Sequence, residues 1–287
     1  MIETRLLWAN GLNFAANIAG AGDTVALMLH GFPESRASWR GQLPALASLG
    51  WQAVAPDLRG YGGSSRPTGK DAYKIERLAE DVAAMFDALG ARRRILIGHD
   101  WGGVIAWHAA LQGLPLDGLV ILNAPHPAAF SRALKSWDQR RRSWYIAFFL
   151  LPWLPELSLT WNHGRGLVRG LARQSPNFPP DLLETFRRNL IAPGAATAML
   201  NYYRANALRL AGPETTVPTI DAPTLLIWGE DDAYLSPVLA EGNDEFVRQL
   251  TVKRLAGVSH WVSQDAPAEV NRAIAEWAQE RGLAARA

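Results

Sequence analysis

Residues 94–110 leave this chain little freedom of fold. Arg94-Ile95-Leu96-Ile97 is a short apolar, β-branched run of the kind a buried parallel strand requires. From Trp101 to Ala110, small and apolar residues recur at helical spacing. Between the two lies Gly98-His99-Asp100-Trp101-Gly102. Its glycines let the backbone pass close to its neighbours, so a strained residue can stand at the centre of a sharp strand-to-helix turn. That frame usually holds a serine nucleophile; here it holds an aspartate. A serine must lose its proton as it attacks, which suits acyl transfer. An aspartate is ionised at neutral pH and can attack saturated carbon, leaving an alkyl ester on the chain. Alone, the segment also reads as an ordinary helix start with an acidic N-cap, so its meaning rests on the other segments.

Those segments form an alternating series. Val25–Leu29, Gln52–Ala55, Arg94–Ile97, Leu119–Leu122, Thr224–Trp228 and Val252–Leu255 are strand-like. Helical runs intervene: Ser35–Leu49, with Trp39, Leu43 and Leu46 on one face, and a helix carrying Ile75, Leu78, Val82, Phe86 and Leu89. The expectation is a mostly parallel, doubly wound α/β sheet with helices on both faces. The alternation breaks between about His126 and Val217, a stretch rich in proline and aromatics with helical periodicity only. Asp138–Leu151, Asp181–Ile191 and Ala195–Ala211 are its expected helices. We therefore expect a core domain of residues 1–126 and 218–287, with a helical cap of residues 127–217 inserted after the strand at 119–122. Such a cap would lie over the strand ends, where sheets of this kind bind ligands.

Composition narrows the function classes. A chain of 287 residues with a net charge of +2 offers no footprint for a nucleic acid. The runs Arg92–Arg94 and Arg140–Arg142 are short and read as solvated faces. With no cysteine there is no disulfide, thiolate nucleophile or cysteine metal site. Met1–Leu6 lacks the layout of a signal peptide, and the apolar stretch from Trp144 to Leu154 is short and interrupted by proline. A cytoplasmic location without membrane attachment is the expectation.

Three further segments, each following a strand, carry chemistry. His30-Gly31-Phe32-Pro33-Glu34 supplies a loop whose Phe32 N–H, with that of Trp101, can hold an oxyanion. Trp228-Gly229-Glu230-Asp231-Asp232 supplies an acid, and Gly257-Val258-Ser259-His260-Trp261 a histidine. Nucleophile, acid, histidine is the chain order of α/β-hydrolases. His260 would act as general base on water, with a carboxylate fixing its tautomer. Loop position favours Asp232, then Asp231, then Glu230. The other histidines, His30, His99, His108, His126 and His163, have no such placement and read as structural or solvated.

Taken together, His30–Ser35, Asp57–Ser65, Gly98–Gly103, Trp228–Asp232 and Gly257–Trp261 resemble the α/β-hydrolase fold enzymes related to soluble epoxide hydrolases. The resemblance spans nearly the whole chain. It implies two cap tyrosines that bind and protonate the epoxide oxygen: Tyr145, a few residues before a Phe-x-x-Pro motif, and Tyr203, with Tyr202 as its neighbouring rival. It also implies that Glu34 orients the hydrolytic water. The implied reaction converts a small apolar epoxide and water to a vicinal diol, a detoxification chemistry needing neither metal nor organic cofactor. Oligomeric state is open, a homodimer included.

Haloalkane dehalogenases share the aspartate and its neighbouring tryptophan, so they are the alternative. Trp137, Trp144, Trp153 and Trp161 keep a second halide-binding tryptophan available. The related haloacetate dehalogenases carry arginines where this chain has Trp101 and Val104, which disfavours an anionic substrate. A non-catalytic binder of apolar ligands is a further reading, and it has no use for a full set of catalytic groups.

Overall fold

A computed structural model describes residues 1–210 and 218–284. Within them, eight strands form one sheet: β1 (Ile2–Ala9), β2 (Leu12–Ala19), β3 (Thr24–Leu29), β4 (Gln52–Pro56), β5 (Arg93–His99), β6 (Gly118–Leu122), β7 (Thr224–Gly229) and β8 (Leu250–Leu255). Their spatial order is β1-β2-β4-β3-β5-β6-β7-β8. From β4 to β8 all neighbours are parallel, whereas β1 and β2 form an antiparallel hairpin on the β4 side. This is the expected mostly parallel sheet. Its parallel strands are nearly continuous apolar runs because helices cover both faces.

The helices are α1 (Leu43–Ala47), α2 (Ile75–Ala88), α3 (Trp101–Leu111), α4 (Pro127–Ala133), α5 (Trp137–Arg142), α6 (Trp144–Phe149), α7 (Leu154–Thr160), α8 (Arg165–Gln174), α9 (Pro180–Ile191), α10 (Ala195–Leu210), α11 (Val262–Asp265) and α12 (Pro267–Glu280). On one face, Val82, Met85 and Phe86 of α2 and Ile105 and Trp107 of α3 pack on Leu27, Leu96 and Ile121. On the other, Leu43 and Leu46 of α1 and Ile274 and Trp277 of α12 pack on Met28, Ile97 and Val120. The alternate residues of β3 and β5 thus feed two separate cores, as a two-residue side-chain period demands.

Two expected helices are shorter than their periodicity suggests. The run 35–49 divides into a 3₁₀ turn, Arg36–Trp39, and α1, with Pro44 restarting the chain in the first turn of α1. The run 138–151 divides at Ser143 (φ −92°, ψ 9°), whose hydroxyl accepts from Gln139 Nε2 at 2.8 Å. The β1–β2 hairpin is an addition to the expected strands. Its signal was the dipeptide Asn10-Gly11, both residues at positive φ (48° and 70°), the turn that matches strand twist.

Helices α4 to α10 all lie between β6 and β7. They are tied to the sheet side of the molecule by directed contacts. Tyr202 Oη donates to the Arg59 carbonyl (2.7 Å), Asn206 Oδ1 accepts from Ile75 N–H (2.8 Å), and Arg40 pairs with Asp181 (2.7 Å). The expected insertion end at 217, and the expected helix end at Ala211, lie outside the described residues. Among the described residues no helix is long and apolar enough to cross a membrane.

Candidate active site

Because β3, β5, β6, β7 and β8 are parallel, the segments following them emerge at one edge of the sheet. Following β5, Asp100 takes φ 50° and ψ −120°, a conformation that L-residues rarely adopt. The crossing backbones explain the two flanking glycines. A Cβ at Gly98 would strike the carbonyl of Gly102, and one at Gly102 would strike that of Leu29. The Phe32 N–H, from the loop after β3, donates to Asp100 Oδ1 at 2.8 Å. Trp101 opens α3, so its N–H has no carbonyl partner within the helix. The Phe32 N–H thus meets the Asp100 carboxylate, and the Trp101 N–H is left free of the helix ladder at the adjoining residue.

His260 follows β8 and Asp232 follows β7. His260 Nε2 stands 3.5 Å from Asp100 Oδ2, and Nδ1 stands 2.6 Å from Asp232 Oδ2. Asp232 is held by four donors: the N–H groups of Tyr234 (2.7 Å) and Leu235 (2.9 Å) on Oδ1, and Asn123 Nδ2 (2.8 Å) and His260 on Oδ2. Its rivals are elsewhere: Asp231 is exposed, and Glu230 pairs with Arg254 at 2.7 Å. Burial alone would lower the His260 pKa, but the carboxylates of Asp232 and Asp100 hold it up to about 10. For Asp232, burial raises the pKa, yet the His260 charge and these hydrogen bonds leave it below the usual carboxylate range.

Glu34 is fully enclosed. Its Oε2 accepts from Gly31 N–H (2.9 Å) and meets His99 Nδ1 at 2.8 Å, while Oε1 is buried without a hydrogen-bond partner among the described residues. Burial opposes its ionisation, but the His99 ring and the Gly31 N–H overcome this and hold it down to about 2. His99 Nε2 meets the His260 carbonyl at 2.9 Å. His99 is thus buried and joins Glu34 to the backbone of His260.

Asp100 and Trp101 line a cavity of about 520 Å³, its open mouth included. Tyr145 of α6 and Tyr203 of α10 line the same cavity, with Val104, Phe130, Ile146 and Leu235 supplying apolar wall. The two phenol rings stand edge to face, 6.1 Å between centroids. Burial pushes both phenols well above 10; the Asp100 charge adds to this, as does the Tyr145–Tyr203 pairing for Tyr203. Both hydroxyls therefore keep their protons and stay available as donors. Tyr202 points away, into the contact with Arg59 described above. Trp137, Trp144, Trp153 and Trp161 are all exposed, and none lines the cavity.

Residues 25–267 match the α/β-hydrolase fold family. The chain belongs to that family, in its epoxide-hydrolase branch. It is 37% identical over 278 residues to epoxide hydrolase 4 of Homo sapiens, which covers 92% of this chain and 75% of that protein. It is 34% identical over 281 residues to the AB hydrolase superfamily protein YfhM of Bacillus subtilis, covering 96% and 98%. Among solved structures it resembles a mutant epoxide hydrolase from Bacillus megaterium complexed with a naphthyloxy-propanediol product. The TM-score there is 0.88 at 28% identity, covering 96% of this chain and all of that one.

Several residues of this family member were missed in the sequence. Asn123, after β6, bonds Gly229 N–H through Oδ1 (2.7 Å) and Asp232 through Nδ2, so it fixes the segment after β6 against the loop after β7. Its positive φ of 37°, just past a buried strand, distinguishes it only once the backbone is known. Arg142 Nη1 donates to the Asp232 carbonyl at 2.6 Å and so links α5 to the same loop. His99, expected to be structural or solvated, contacts the His260 backbone directly. By contrast, His126 stacks on Phe246 at 4.2 Å and caps α4, a structural role, with its pKa lowered to about 4 by burial. Among the described residues no cluster of His, Asp or Glu could hold a metal ion.

Proposed function

We propose that this protein hydrolyses a small apolar epoxide to a vicinal diol through an ester on Asp100. The observation carrying this reading is that two protonated tyrosines, Tyr145 and Tyr203, share one cavity with the Asp100 carboxylate. Opening an epoxide generates an alkoxide, a strong base that needs a proton donor; expelling a halide does not. The exposure of all four cap tryptophans disfavours the dehalogenase alternative, which would use one of them as a halide donor.

In this reading residues 127–217 form the cap and residues 1–126 with 218–287 the core. Asp100 Oδ2, the oxygen not engaged by Phe32, attacks an epoxide carbon in line. The carbon–oxygen bond of the ring breaks, and its electron pair goes to the oxygen. That oxygen takes a proton from Tyr145 or Tyr203. Esterification removes the Asp100 charge, one of the influences that keep His260 protonated, so the His260 pKa falls, its proton passes to solvent, and a neutral imidazole is left to act as the base. His260, oriented by Asp232, then takes a proton from water as the water oxygen bonds to the Asp100 carboxyl carbon. The N–H groups of Phe32 and Trp101 hold the resulting oxyanion. Collapse breaks the ester bond, the departing alkoxide takes the proton from His260, and the proton left on the Asp100 carboxyl passes through solvent to the tyrosinate, which restores both groups. The partnerless Glu34 Oε1 supports a part for Glu34 in holding that water.

The double substitution Tyr145→Phe with Tyr203→Phe tests the reading against a panel of terminal epoxides and haloalkanes. Epoxide opening should fall below detection. Retained epoxide turnover, or turnover of haloalkanes alone by the parent protein, overturns the reading.

A further inference from the structure

We propose that the exposed surface of the segment from Trp144 to Arg173 docks on a bilayer surface that carries anionic lipid. Between residues 150 and 161 six apolar side chains reach solvent: Leu150, Leu151, Trp153, Leu154, Leu157 and Trp161. Each is at least 40% exposed, and both tryptophans are 70% exposed. Trp144, at the start of α6, is 68% exposed. Scattered exposed apolar residues are ordinary, but a run this dense marks a surface that meets a partner.

Charge identifies the partner. Arg165, Arg169 and Arg173 recur every four residues, so they share one side of α8, and all three are exposed. None of them forms an ion pair among the described residues; Arg165 meets the Glu184 charge only at longer range. Residues 127–210 contain 12 Lys and Arg against four Asp and Glu, a net +8, while the rest of the chain has 17 against 23, a net −6. Two copies meeting through this segment would bring like charges together, which disfavours a dimer on this face. An anionic bilayer complements the charge. Its interface also suits tryptophan, whose ring is apolar and whose N–H is polar. The short helix α6 carries Trp144 outward and Tyr145 and Ile146 into the cavity, so the docked face and the cavity wall are one element. An apolar substrate dissolved in the bilayer would then meet the protein at the side that bounds its cavity. The docking itself depends on no step of the catalytic reading.

Vesicle flotation of the purified full chain tests the proposal. It should float with vesicles of phosphatidylcholine plus phosphatidylglycerol, stay behind with phosphatidylcholine alone, and be released by raised salt. The triple change Arg165→Gln, Arg169→Gln, Arg173→Gln should weaken partitioning on the order of a hundredfold, at about fivefold per charge. Trp153→Ser with Trp161→Ser should also weaken it while leaving turnover of a dissolved epoxide unchanged. Three results overturn the proposal: a parent protein that fails to float with the mixed vesicles, partitioning indifferent to both sets of changes, or a concentration-dependent dimer in sedimentation that the tryptophan changes abolish. The last assigns the face to a second copy of the chain.

Discussion

Replacing Asp232 with asparagine probes the logic of the site most sharply, because every contact of Asp232 comes from a donor. Oδ1 accepts from the N–H groups of Tyr234 and Leu235, and Oδ2 faces Asn123 Nδ2 and His260 Nδ1. An amide must turn its oxygen to one pair and its NH₂ to the other. The backbone pair cannot rotate, so the amide oxygen stays with Tyr234 and Leu235. The NH₂ then confronts Asn123 and His260. Asn123 is itself pinned by Gly229, so its amide does not turn freely. His260 must accept at Nδ1 and carry its proton on Nε2, the nitrogen that has to take the proton of water. The geometry survives and the base is lost. Comparable wrong-tautomer substitutions cost about 10⁴ in turnover, roughly 5 kcal/mol of barrier. The loss should fall on ester hydrolysis alone, since Asp100 Oδ2 remains free to attack. Single-turnover kinetics with intact-protein mass spectrometry should show one rapid equivalent of alkylated protein and then near-arrest. Hydrolysis within tenfold of the parent rate refutes the argument.

His260→Gln should likewise leave an adduct of the substrate mass, with hydrolysis slowed at least ~10²-fold; its absence with every epoxide tested removes the covalent scheme. The folded-state pKa of His260, about 10 against an ordinary 6.5, makes its ion pair fully stabilising below pH 6.5 and lost as pH rises through about 10. Melting temperature should therefore decline more steeply between pH 6.5 and 10 in the parent than in His260→Gln, and equal slopes contradict the shift. Gly102→Ala drives a Cβ into the carbonyl of Leu29, backbone that cannot step aside. Urea denaturation should register a loss of about 3 kcal/mol, and a midpoint equal to the parent's refutes the close approach.

Much of the architecture could be read from the chain because its determinants are local. A buried parallel strand must be apolar, and Ile95–Ile97, Leu119–Leu122 and Leu225–Trp228 are. A strained strand-to-helix turn of this kind must be flanked by residues without side chains, and Gly98 and Gly102 are such residues. The β1–β2 hairpin has a local determinant as well, the Asn10-Gly11 turn. The break at Ser143 was not legible, since the apolar periodicity runs straight through it.

The sequence by itself determined the fold and singled out Asp100 and His260 as the proposed nucleophile and base, since each sits in a motif read along the backbone. Only the tertiary structure decided between neighbours. Tyr202 and Tyr203 are adjacent, yet one bonds the Arg59 carbonyl and the other lines the cavity. Glu230, Asp231 and Asp232 are consecutive acids, yet one alone meets His260. Asn123 and His99 join strands far apart in the chain, so nothing in their own segments announces them. The physical reason is common to all. A side chain's residue type is local, but the direction it points and the partner it meets are set by which strands lie side by side.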